Sequence, residues 1–567
     1  MIFFRSIKRR VAVEVEDVFL DATHLSPLAQ ARLEGKRELP ITTTSLVLVG
    51  VAFMVVGTLF LVRVYDLQVV RGAEFSAIAD NNSVGQTAII AERGVVYDRF
   101  GALLAYNERD EKGLYDFPIR AYVDKLGLGH VLGYVSYPQR DRKGFFYRTD
   151  YVGISGVESA YNEWLRGENG KKILVEDALG DVIAEHSIDP AVSGKELHLS
   201  IDADLTEAMY QIISTSSAQA GFRSGAGAIM DIHTGELIAL TSFPSYDPEI
   251  MADGDAVDEI NRYNNDDRLP FLNKVVGGAY TPGSIVKPFV AYAALAEGIV
   301  SPGQEFVSTG ELIVPNPYNP SNPSRFTDWR AHGVVDMRRA IAFSSNVYFY
   351  IIGGGFGEQR GLGITKMADY YRRFGLGSYT GIRLGEEQAG VVPDPAWKAA
   401  QFDDDWRLGD TYFTSIGQYG FLTTPLQMLR AYGALANGGT LVTPHVLLGA
   451  QGTTSTITLD KAQLRVVHEG MRMATNYPGG TARSLERPQV AIAAKSGTAE
   501  VGAGNAFVNS WAAGFFPYEE PRYAFIIMMD RAPRSNSLGA TRIMGEVIRW
   551  MEVNRPDYLG IVTTDAE

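Results

Sequence analysis

Two residues of this 567-residue chain have the types and spacing of a nucleophile and its base. The segment TPGSIVKPF places Ser284 and Lys287 three residues apart, the only S-x-x-K spacing in the chain. Thr281 and Pro282 are typical of a helix start, which predicts Ser284 in the first helical turn with the Lys287 amine on the same face. A lysine whose pKa is lowered by burial and a neighbouring cation can take the serine proton. N–H groups at the helix start could bind an oxyanion.

Two further segments carry groups that would complete such a site. SSN at residues 344–346 interrupts an apolar helical pattern, MRRAIAFSSNVYFYII, and KSGT at residues 495–498 follows the apolar strand VAIAA. Gly497 would let a substrate backbone approach the strand, and an ammonium group beside hydroxyls can hold a carboxylate. Taken singly, the three segments also fit a solvated helix face, a capped helix kink and a hairpin with a surface lysine.

Strands at both ends of a mainly helical region predict one large α/β domain, residues 196–555, around these segments. At its start, HLSIDADL predicts a strand and an Asp-capped helix, and AGAIMDIHTGELIALTS predicts two strands joined at the His-Thr-Gly turn. At its end we expect a strand pair near residues 490–494 and 512–516, then the strand YAFIIMMD and a helix around residues 541–554.

An accessory α+β domain is predicted for residues 63–195. AERGVVYDRFGALLAYN has the pattern of two short strands separated by turns, and VESAYNEWLRG predicts a helix before the hairpin-like KKILVEDALGDVI. Residues 556–567 would form a short C-terminal tail.

A membrane anchor is predicted at residues 41–62, because no charged residue lies between Glu38 and Arg63. A buried core helix and a cleaved signal peptide both fit this long apolar run less well. Seven basic residues precede the run: Arg5, Lys8, Arg9, Arg10, Arg32, Lys36 and Arg37. By the positive-inside rule they place a tail of residues 1–40 in the cytoplasm and the rest of the chain outside. ATP-driven chemistry is not expected there, and no G-x-x-x-x-G-K-[ST] loop occurs.

Composition excludes several classes of function. With 46% apolar residues the chain can bury large cores, so global disorder is excluded. The absence of cysteine excludes disulfide scaffolds, cysteine nucleophiles, iron–sulfur clusters and cysteine zinc sites. A net charge of -14 without a basic domain argues against a nucleic-acid partner.

The three segments, in this order, resemble the S-x-x-K, S-x-N and K-[ST]-G signature of the penicillin-interacting serine enzymes. AERGVVYDRFGALLA resembles the R-G-x-I-x-D-R-N-G-x-x-L-A element of class B penicillin-binding proteins. SIGQYGFLTTPLQM and NSWAAGFFPYEEPRYAF resemble that family's S-I-G-Q-G-x-x-x-T-P-L-Q and W-F-x-G-x-x-P segments, so the likeness runs from Arg63 to about Asn554. LGEEQAGVVPDPAWK and GDTYFTSIGQ resemble the elongation type more than the septal type.

The resemblance implies an α/β (α+β) serine transpeptidase domain of β-lactamase-like fold, an N-terminal α+β pedestal domain and one transmembrane helix. It implies a D,D-transpeptidase without a cofactor, in which Ser284 attacks the carbonyl between two terminal D-alanines and the amine of a second stem peptide takes the acyl group. The resemblance also implies that Lys287 is the base and that Lys495 keeps Lys287 neutral. Ser344 and Asn346 would relay protons and orient the peptide. Ser496 and Thr498, flanking Gly497, would bind the terminal carboxylate, and the amides of Ser284 and Thr498 would form the oxyanion hole.

Two positions depart from patterns seen in this family. Some elongation-type enzymes have Asp at the position of Asn346, and some carry a metal nearby. Here Asp328 and His332, in DWRAH, could supply two ligands, but the spacing differs and no cysteine completes a site. We therefore expect these two side chains to be satisfied within a loop, and no required metal.

Several rival functions remain open at the level of the sequence. A β-lactamase would share the three motifs but would need neither anchor nor accessory domain, and a bifunctional synthase would need a glycosyltransferase domain that residues 65–195 are too short to hold. A septal transpeptidase and a non-enzymatic β-lactam receptor also stay open. For the elongation type, the resemblance implies an inner-membrane location, stem peptides of a lipid-linked precursor polymer as substrates, β-lactams as covalent inhibitors and a RodA-like membrane glycosyltransferase as partner.

Overall fold

The computed structural model of the chain describes residues 43–72 and 86–561, apart from residues 112, 114, 143–145, 177–181, 317, 318 and 320. The predicted tail 1–40 with its seven basic residues, the start of the predicted span at residues 41 and 42, and residues 562–567 lie outside the described residues. The chain divides into two compact units, Met1–Asn81 and Asn82–Glu567.

The first unit contains the apolar helix that the sequence predicts. Thr43–Tyr65 is α-helical and continues as a π-helical turn, Asp66–Val70, and the large apolar side chains from Val47 to Tyr65 are exposed. Among the described residues, Val47–Val70 is the one helix long and apolar enough to cross a membrane. The observed helix therefore extends beyond residue 62, the predicted end of the span.

The accessory part of the second unit is built from small, mainly antiparallel sheets. A three-stranded sheet contains Gln86–Ile89, Gly170–Glu176 and Val182–Asp189, and a four-stranded sheet contains Leu197–His198, Val96–Tyr97, Leu103–Glu108 and Ile119–Tyr122. Two strand pairs join Val135–Ser136 to Val152–Gly153 and Gln139–Arg140 to Phe146–Arg148, and the short helices are Gly129–Leu132, Gly156–Ala160 and Asn162–Leu165. The strand, turn and hairpin patterns are confirmed, but VESAYNEWLRG forms two short helices instead of one.

A buried ion triad holds the accessory part together. Glu158 accepts from Arg93 Nε at 2.5 Å and from Arg120 Nε at 2.7 Å, and all three side chains are completely buried. Arg120 also donates to the Gly94 carbonyl and to Asn107 Oδ1. Buried charges are tolerated only when they are paired and hydrogen-bonded, as these are.

The accessory and catalytic parts are linked by backbone and side-chain contacts. The strand Leu197–His198 pairs in parallel with Val96–Tyr97, so the chain enters the catalytic part from within the accessory sheet. Lys125 Nζ lies 2.7 Å from Asp204 Oδ1, and Ser155 Oγ lies 2.9 Å from the Tyr246 hydroxyl.

A five-stranded antiparallel sheet forms the centre of the catalytic part, in the order β2-β1-β5-β4-β3. Its strands are β1 (Ser224–Asp231), β2 (Leu237–Phe243), β3 (Ala493–Val501), β4 (Phe507–Phe516) and β5 (Tyr523–Pro533). All residues of β1 are buried, because helices cover both faces of the sheet. β3 is an edge strand that pairs only with β4.

Six helices surround this sheet, and two of them begin at residues that the sequence singles out, Lys287 and Asn346. The six helices are α1 (Ala203–Ala220), α2 (Lys287–Ala296), α3 (Met337–Phe343), α4 (Asn346–Gly354), α5 (Pro425–Ala436) and α6 (Ala540–Asn554). Alternate residues of β1 face opposite cores: Ile229 packs with the side of α1 and α6, and Met230 with the side of α2 and α5. Asp202 caps α1 by accepting from Leu205 N at 3.0 Å, as the sequence predicts.

The remaining described helices, turns and strand pairs complete the catalytic part. The helices are Pro248–Asp253, Val257–Asn265, Ile364–Arg373, Pro395–Phe402, Leu408–Ser415 and Lys461–Asn476, with 3-10 turns at Gly283–Val286, Arg483–Leu485, Ala503–Asn505 and Pro556–Leu559. The strand pairs are Phe306–Ser308 with Gly333–Val335, Glu311–Val314 with Ser324–Thr327, and Thr440–Val442 with Thr454–Thr456. One sequence expectation was wrong in register: KSGT lies within β3 instead of following a strand at residues 490–494.

Candidate active site

Ser284 lies in a 3-10 turn, Gly283–Val286, that leads directly into α2 at Lys287. Residues three apart are eclipsed in a 3-10 turn, so Ser284 and Lys287 share one side, as the sequence predicts. The predicted Thr281 cap was wrong. Pro282 occupies the cap position without a side-chain hydrogen bond, and the Thr281 carbonyl instead accepts from Trp511 Nε1 at 2.9 Å.

Two glycines position this nucleophile turn by backbone-to-backbone packing. Gly283 N donates to the Gly417 carbonyl at 3.0 Å, and both residues have positive φ, 58° and 76°. A Cβ on Gly283 would stand 2.5 Å from the Thr498 carbonyl oxygen, and one on Gly417 would stand 2.2 Å from the Gly283 carbonyl oxygen. Neither position has space for a side chain, so the turn is fixed between the SIGQ segment and β3.

Gly497 also packs against the nucleophile turn, a contact that the sequence did not suggest. A Cβ there would stand 2.8 Å from Ile285 Cγ2 and 3.0 Å from the Pro282 carbonyl oxygen. On the opposite side of the turn, the Tyr432 hydroxyl donates to the Ile285 carbonyl at 2.7 Å. The backbone around Ser284 is therefore held by β3, β4, α5 and the SIGQ segment together.

The SSN segment forms a sharp break between α3 and α4. Ser344 ends α3 in the left-handed region, with φ 57° and ψ 38°, and Ser345 caps α4. The Ser345 hydroxyl donates to Asp328 Oδ2 at 2.9 Å, and Val347 N donates to the same oxygen at 3.1 Å. This break turns the Ser344 and Asn346 side chains toward Lys287.

The two lysines meet at the Ser344 hydroxyl. Lys287 Nζ lies 3.3 Å and Lys495 Nζ 2.8 Å from Ser344 Oγ, and both lysines are completely buried. Lys287 also donates to Asn346 Oδ1 at 2.7 Å and to the Ser344 carbonyl at 2.8 Å. In this state the contacts of the Lys287 amine are with the SSN segment, and the predicted bond to Ser284 is not among them. Hydrogen bonds to a nucleophile often tighten only when substrate binds.

Burial sets the proton affinity of both lysines. It lowers the pKa of Lys287 to about 7, although the Asp328 carboxylate opposes the shift. Burial, followed by the charge of Lys287, lowers the pKa of Lys495 well below its usual range. An amine with a pKa near 7 is a suitable general base at neutral pH. Burial is thus the cause of the lowered pKa of Lys287, and the positive charges of the two buried lysines disfavour each other.

A cleft of about 940 Å³ brings together most of the residues that the sequence singled out. Its lining includes Ser284, Asp328, Ser344, Asn346, Ser496, Gly497 and Thr498. Lys287 and Lys495 lie buried beneath this surface. The Thr498 side chain is exposed to the cleft, and the Ser496 hydroxyl donates to Thr481 Oγ1 at 2.7 Å.

Asp328 and His332 belong to a hydrogen-bonded loop. Besides Ser345 and Val347, the Asp328 carboxylate accepts from Ser308 Oγ at 3.2 Å and from Trp329 N at 2.9 Å. Burial alone would raise the pKa of Asp328, but His332, 3.5 Å away, and the positive Lys287 hold it well below its usual range. In the part of the chain that the structure describes, no cluster of three or more His, Asp or Glu side chains could hold a metal ion.

Four residues that position the site were not predicted from the sequence. Gly417, Tyr432, Trp511 and Thr481 all contact catalytic segments that are distant in the chain. The SIGQ and NSWAAGFF segments were noted only for their resemblance to the family. Thr481 has no sequence signal, because it stands alone in a turn.

This geometry supports acyl transfer through an activated serine. Comparison with known protein families agrees, since the models of two families match this chain. "Penicillin binding protein transpeptidase domain" matches residues 225–549, and "Penicillin-binding Protein dimerisation domain" matches residues 114–199. The first match covers more than half of the chain. The chain therefore belongs to the penicillin-binding protein transpeptidase family.

Particular relatives narrow this class. Peptidoglycan D,D-transpeptidase MrdA of Haemophilus influenzae is 27% identical, in an alignment that covers 90% of this chain and 91% of that protein. MrdA of Salmonella typhimurium is 30% identical over 466 residues, covering 76% of this chain and 72% of that protein. Penicillin-binding protein PBP2 of Helicobacter pylori, solved in complex with MreC, is 26% identical with a TM-score of 0.68, covering 82% of this chain and 98% of that chain.

Proposed function

We propose that this chain is a peptidoglycan D,D-transpeptidase of the elongation type that cross-links stem peptides through an acyl-enzyme on Ser284. The observation that carries the proposal is a buried lysine, Lys287, with a pKa of about 7 one 3-10 turn from the serine. Similarity to MrdA along nearly the whole chain favours the elongation type over the septal type.

In the first half-reaction, Lys287 takes the Ser284 proton as Oγ attacks the carbonyl between two D-alanines. The new C–O bond gives a tetrahedral oxyanion, which the Ser284 and Thr498 amides stabilise. The C–N bond then breaks, and the departing D-alanine amine takes the proton. Ser344 Oγ, which contacts both lysines, is placed to pass it on.

In the second half-reaction, the amine of another stem peptide attacks the ester carbonyl. The new C–N bond forms the cross-link, the C–O bond breaks, and Ser284 recovers a proton from the attacking amine by way of Lys287. Asn346, which accepts from Lys287, would orient the amine and the peptide. Ser496 and Thr498 would bind the carboxylate of the donor, with the buried Lys495 amine behind them.

The chain's organisation in the cell is part of the proposal. Residues 63–195 would be the pedestal, 196–555 the transpeptidase domain and 556–567 a tail. The apolar N-terminal helix supports a single-pass anchor. We propose a cytoplasmic N-terminus, a catalytic domain on the outer side of the bacterial inner membrane, and a RodA-like glycosyltransferase as lateral partner. A related protein, H. pylori PBP2, forms a complex with MreC, which supports an MreC-like protein as a second partner of this chain.

The test is covalent labelling of the anchored protein by a fluorescent penicillin. Ser284→Ala should abolish labelling, whereas the exposed Ser301→Ala should label like the wild type. A circular dichroism spectrum would show that the Ser284→Ala protein remains folded. Undiminished labelling of Ser284→Ala would overturn the proposed nucleophile.

Two further measurements separate the rival functions. A β-lactamase would release hydrolysed penicillin rapidly, whereas a transpeptidase should keep a long-lived acyl-enzyme. A non-enzymatic receptor would bind the drug but form no cross-linked product from a nascent glycan polymer. Identification of the polymerase that co-purifies with the anchored protein would distinguish lateral-wall from septal synthesis.

A further inference from the structure

An ion pair lines the cleft beyond the proposed carboxylate-binding residues. Ser496, Thr498 and Glu500 alternate along β3 and all line the cleft. Glu500 lies two residues beyond Thr498, about 7 Å further along an extended strand. Arg534, directly after β5, also lines the cleft, and its Nη2 lies 2.7 Å from Glu500 Oε1.

This pair is open to exchange with a ligand. The Arg534 side chain is 62% exposed and that of Glu500 is 40% exposed. Ion pairs with such exposure contribute little to the stability of a protein, so separating this one costs little. Asn505 Nδ2 donates to Glu500 Oε2 at 2.9 Å, which fixes the carboxylate while the guanidinium stays free to turn.

The position of the Glu500–Arg534 pair along β3 indicates which residue of a bound stem peptide it would contact. If the donor's terminal carboxylate sits at Ser496 and Thr498, as proposed above, an extended peptide beside the edge strand β3 runs antiparallel to it. The residue that precedes the two D-alanines then lies level with Glu500 and Arg534. This step rests on the proposed function.

We propose that Glu500 and Arg534 recognise a donor side chain that ends in an ammonium group and a carboxylate on the same carbon. The ammonium group would bind Glu500, and the carboxylate would bind the planar guanidinium fork of Arg534. Binding of such a zwitterion would replace the single ion pair between Glu500 and Arg534 by two ion pairs with the ligand. A side chain that ends in an amine alone must instead displace Arg534 from Glu500 and leaves the guanidinium unpaired.

The test uses the full-length protein and three pentapeptides that end in D-Ala-D-Ala. Their third side chains end in an α-amino carboxylate, in the same group with its carboxylate amidated, or in a plain lysine amine. The measurement is the peptide concentration that halves the rate of Ser284 labelling by fluorescent penicillin. The first peptide should protect at about tenfold lower concentration than the other two, the effect of one charge-assisted contact.

Arg534→Gln should bring the zwitterionic and amidated peptides to within about twofold of each other. The matched control is Arg549→Gln on α6, since Arg549 and Glu546 form an ion pair with nearly the same exposures, 61% and 40%, outside the cleft. This control should keep the wild-type preference. Equal protection by all three peptides, no protection by any, or a preference that survives Arg534→Gln would overturn the inference. Absence of penicillin labelling in the wild type would overturn the proposed function, and the inference with it.

Discussion

Gly497 of β3 and Ile285 of the nucleophile turn are packed so closely that a single methyl group would not fit between them. An added Cβ would lie 2.8 Å from Ile285 Cγ2 and 3.1 Å from Trp511 Cβ. The absence of a side chain at residue 497 therefore sets the distance between the turn that carries Ser284 and the strand that carries Thr498. That distance decides whether the two backbone amides can bind one oxyanion.

Gly497→Ala should displace the nucleophile turn and lower the rate of penicillin acylation by about 100-fold, the typical cost of losing an oxyanion contact. Gly303→Ala is the matched control, because a Cβ there meets nothing within 4 Å. Stopped-flow acylation rates, with melting temperatures as a check of folding, would measure both variants. An unchanged rate in Gly497→Ala would show that this packing does not set the site geometry.

The rate of penicillin acylation should rise with pH through about 7 and level off above it. The reason is that Lys287, whose pKa is lowered to about 7 by burial, accepts the Ser284 proton only when its amine is neutral. Lys287→Arg, which stays protonated, should lower the plateau rate by at least about 100-fold. A flat profile in the wild type, with circular dichroism unchanged over the same range, would contradict the assignment.

Tyr432→Phe should slow acylation several-fold and destabilise the protein by about 1–2 kcal/mol, because it leaves the buried Ile285 carbonyl without its donor. Tyr371→Phe removes a similar buried hydroxyl, which donates to the Thr414 carbonyl at 3.1 Å. The two variants should lose similar free energies of unfolding in urea, with the larger effect on acylation in Tyr432→Phe. Equal kinetic effects would mean that Tyr432 acts only through global stability.

Glu158→Gln should lower the free energy of unfolding by about 3–5 kcal/mol, because it leaves buried arginines without an anion. Glu163→Gln, which removes an exposed partner of Arg166, should change it by less than about 1 kcal/mol. Burial would raise the pKa of Glu158, but Arg120 and Arg93 hold it below its usual value. The Glu158 contribution is thus present above the unfolded pKa of about 4.3 and is lost as pH falls further. If the difference in free energy of unfolding between the wild type and Glu158→Gln disappears already near pH 6, this prediction is wrong.

Local signals in the sequence were sufficient for much of the fold. The Asp202 cap, the two strands around the His-Thr-Gly turn and the helix at residues 540–554 depend on neighbours a few positions away, and they form as predicted. The break at SSN was also visible, because serine and asparagine compete with the helix for backbone hydrogen bonds. The spacing of Ser284 and Lys287 indicated a nucleophile and its base only together with the other two segments and the resemblance to the family.

Contacts between distant segments were the part that sequence could not supply. Trp511 contacts Thr281 across 230 positions, and this contact replaced the expected Thr281 cap. Gly283 has no room for a side chain because the Thr498 carbonyl of β3 lies against it, which is a fact of tertiary packing. Likewise, KSGT continues the strand because β4 pairs with it from Phe507 onward. No local pattern encodes these three-dimensional constraints.

The order of strands in the central sheet also determines when the catalytic part can complete its folding. β1 pairs on one side with its neighbour β2 and on the other with β5, whose partner residues Ser224 and Asp530 are at opposite ends of the catalytic part. The early hairpin therefore keeps an open edge until the final strand has been synthesised. Such non-local pairing is slow and exposed to aggregation, so a chain truncated before β5 would be a substrate for proteases and chaperones instead of a partly active enzyme.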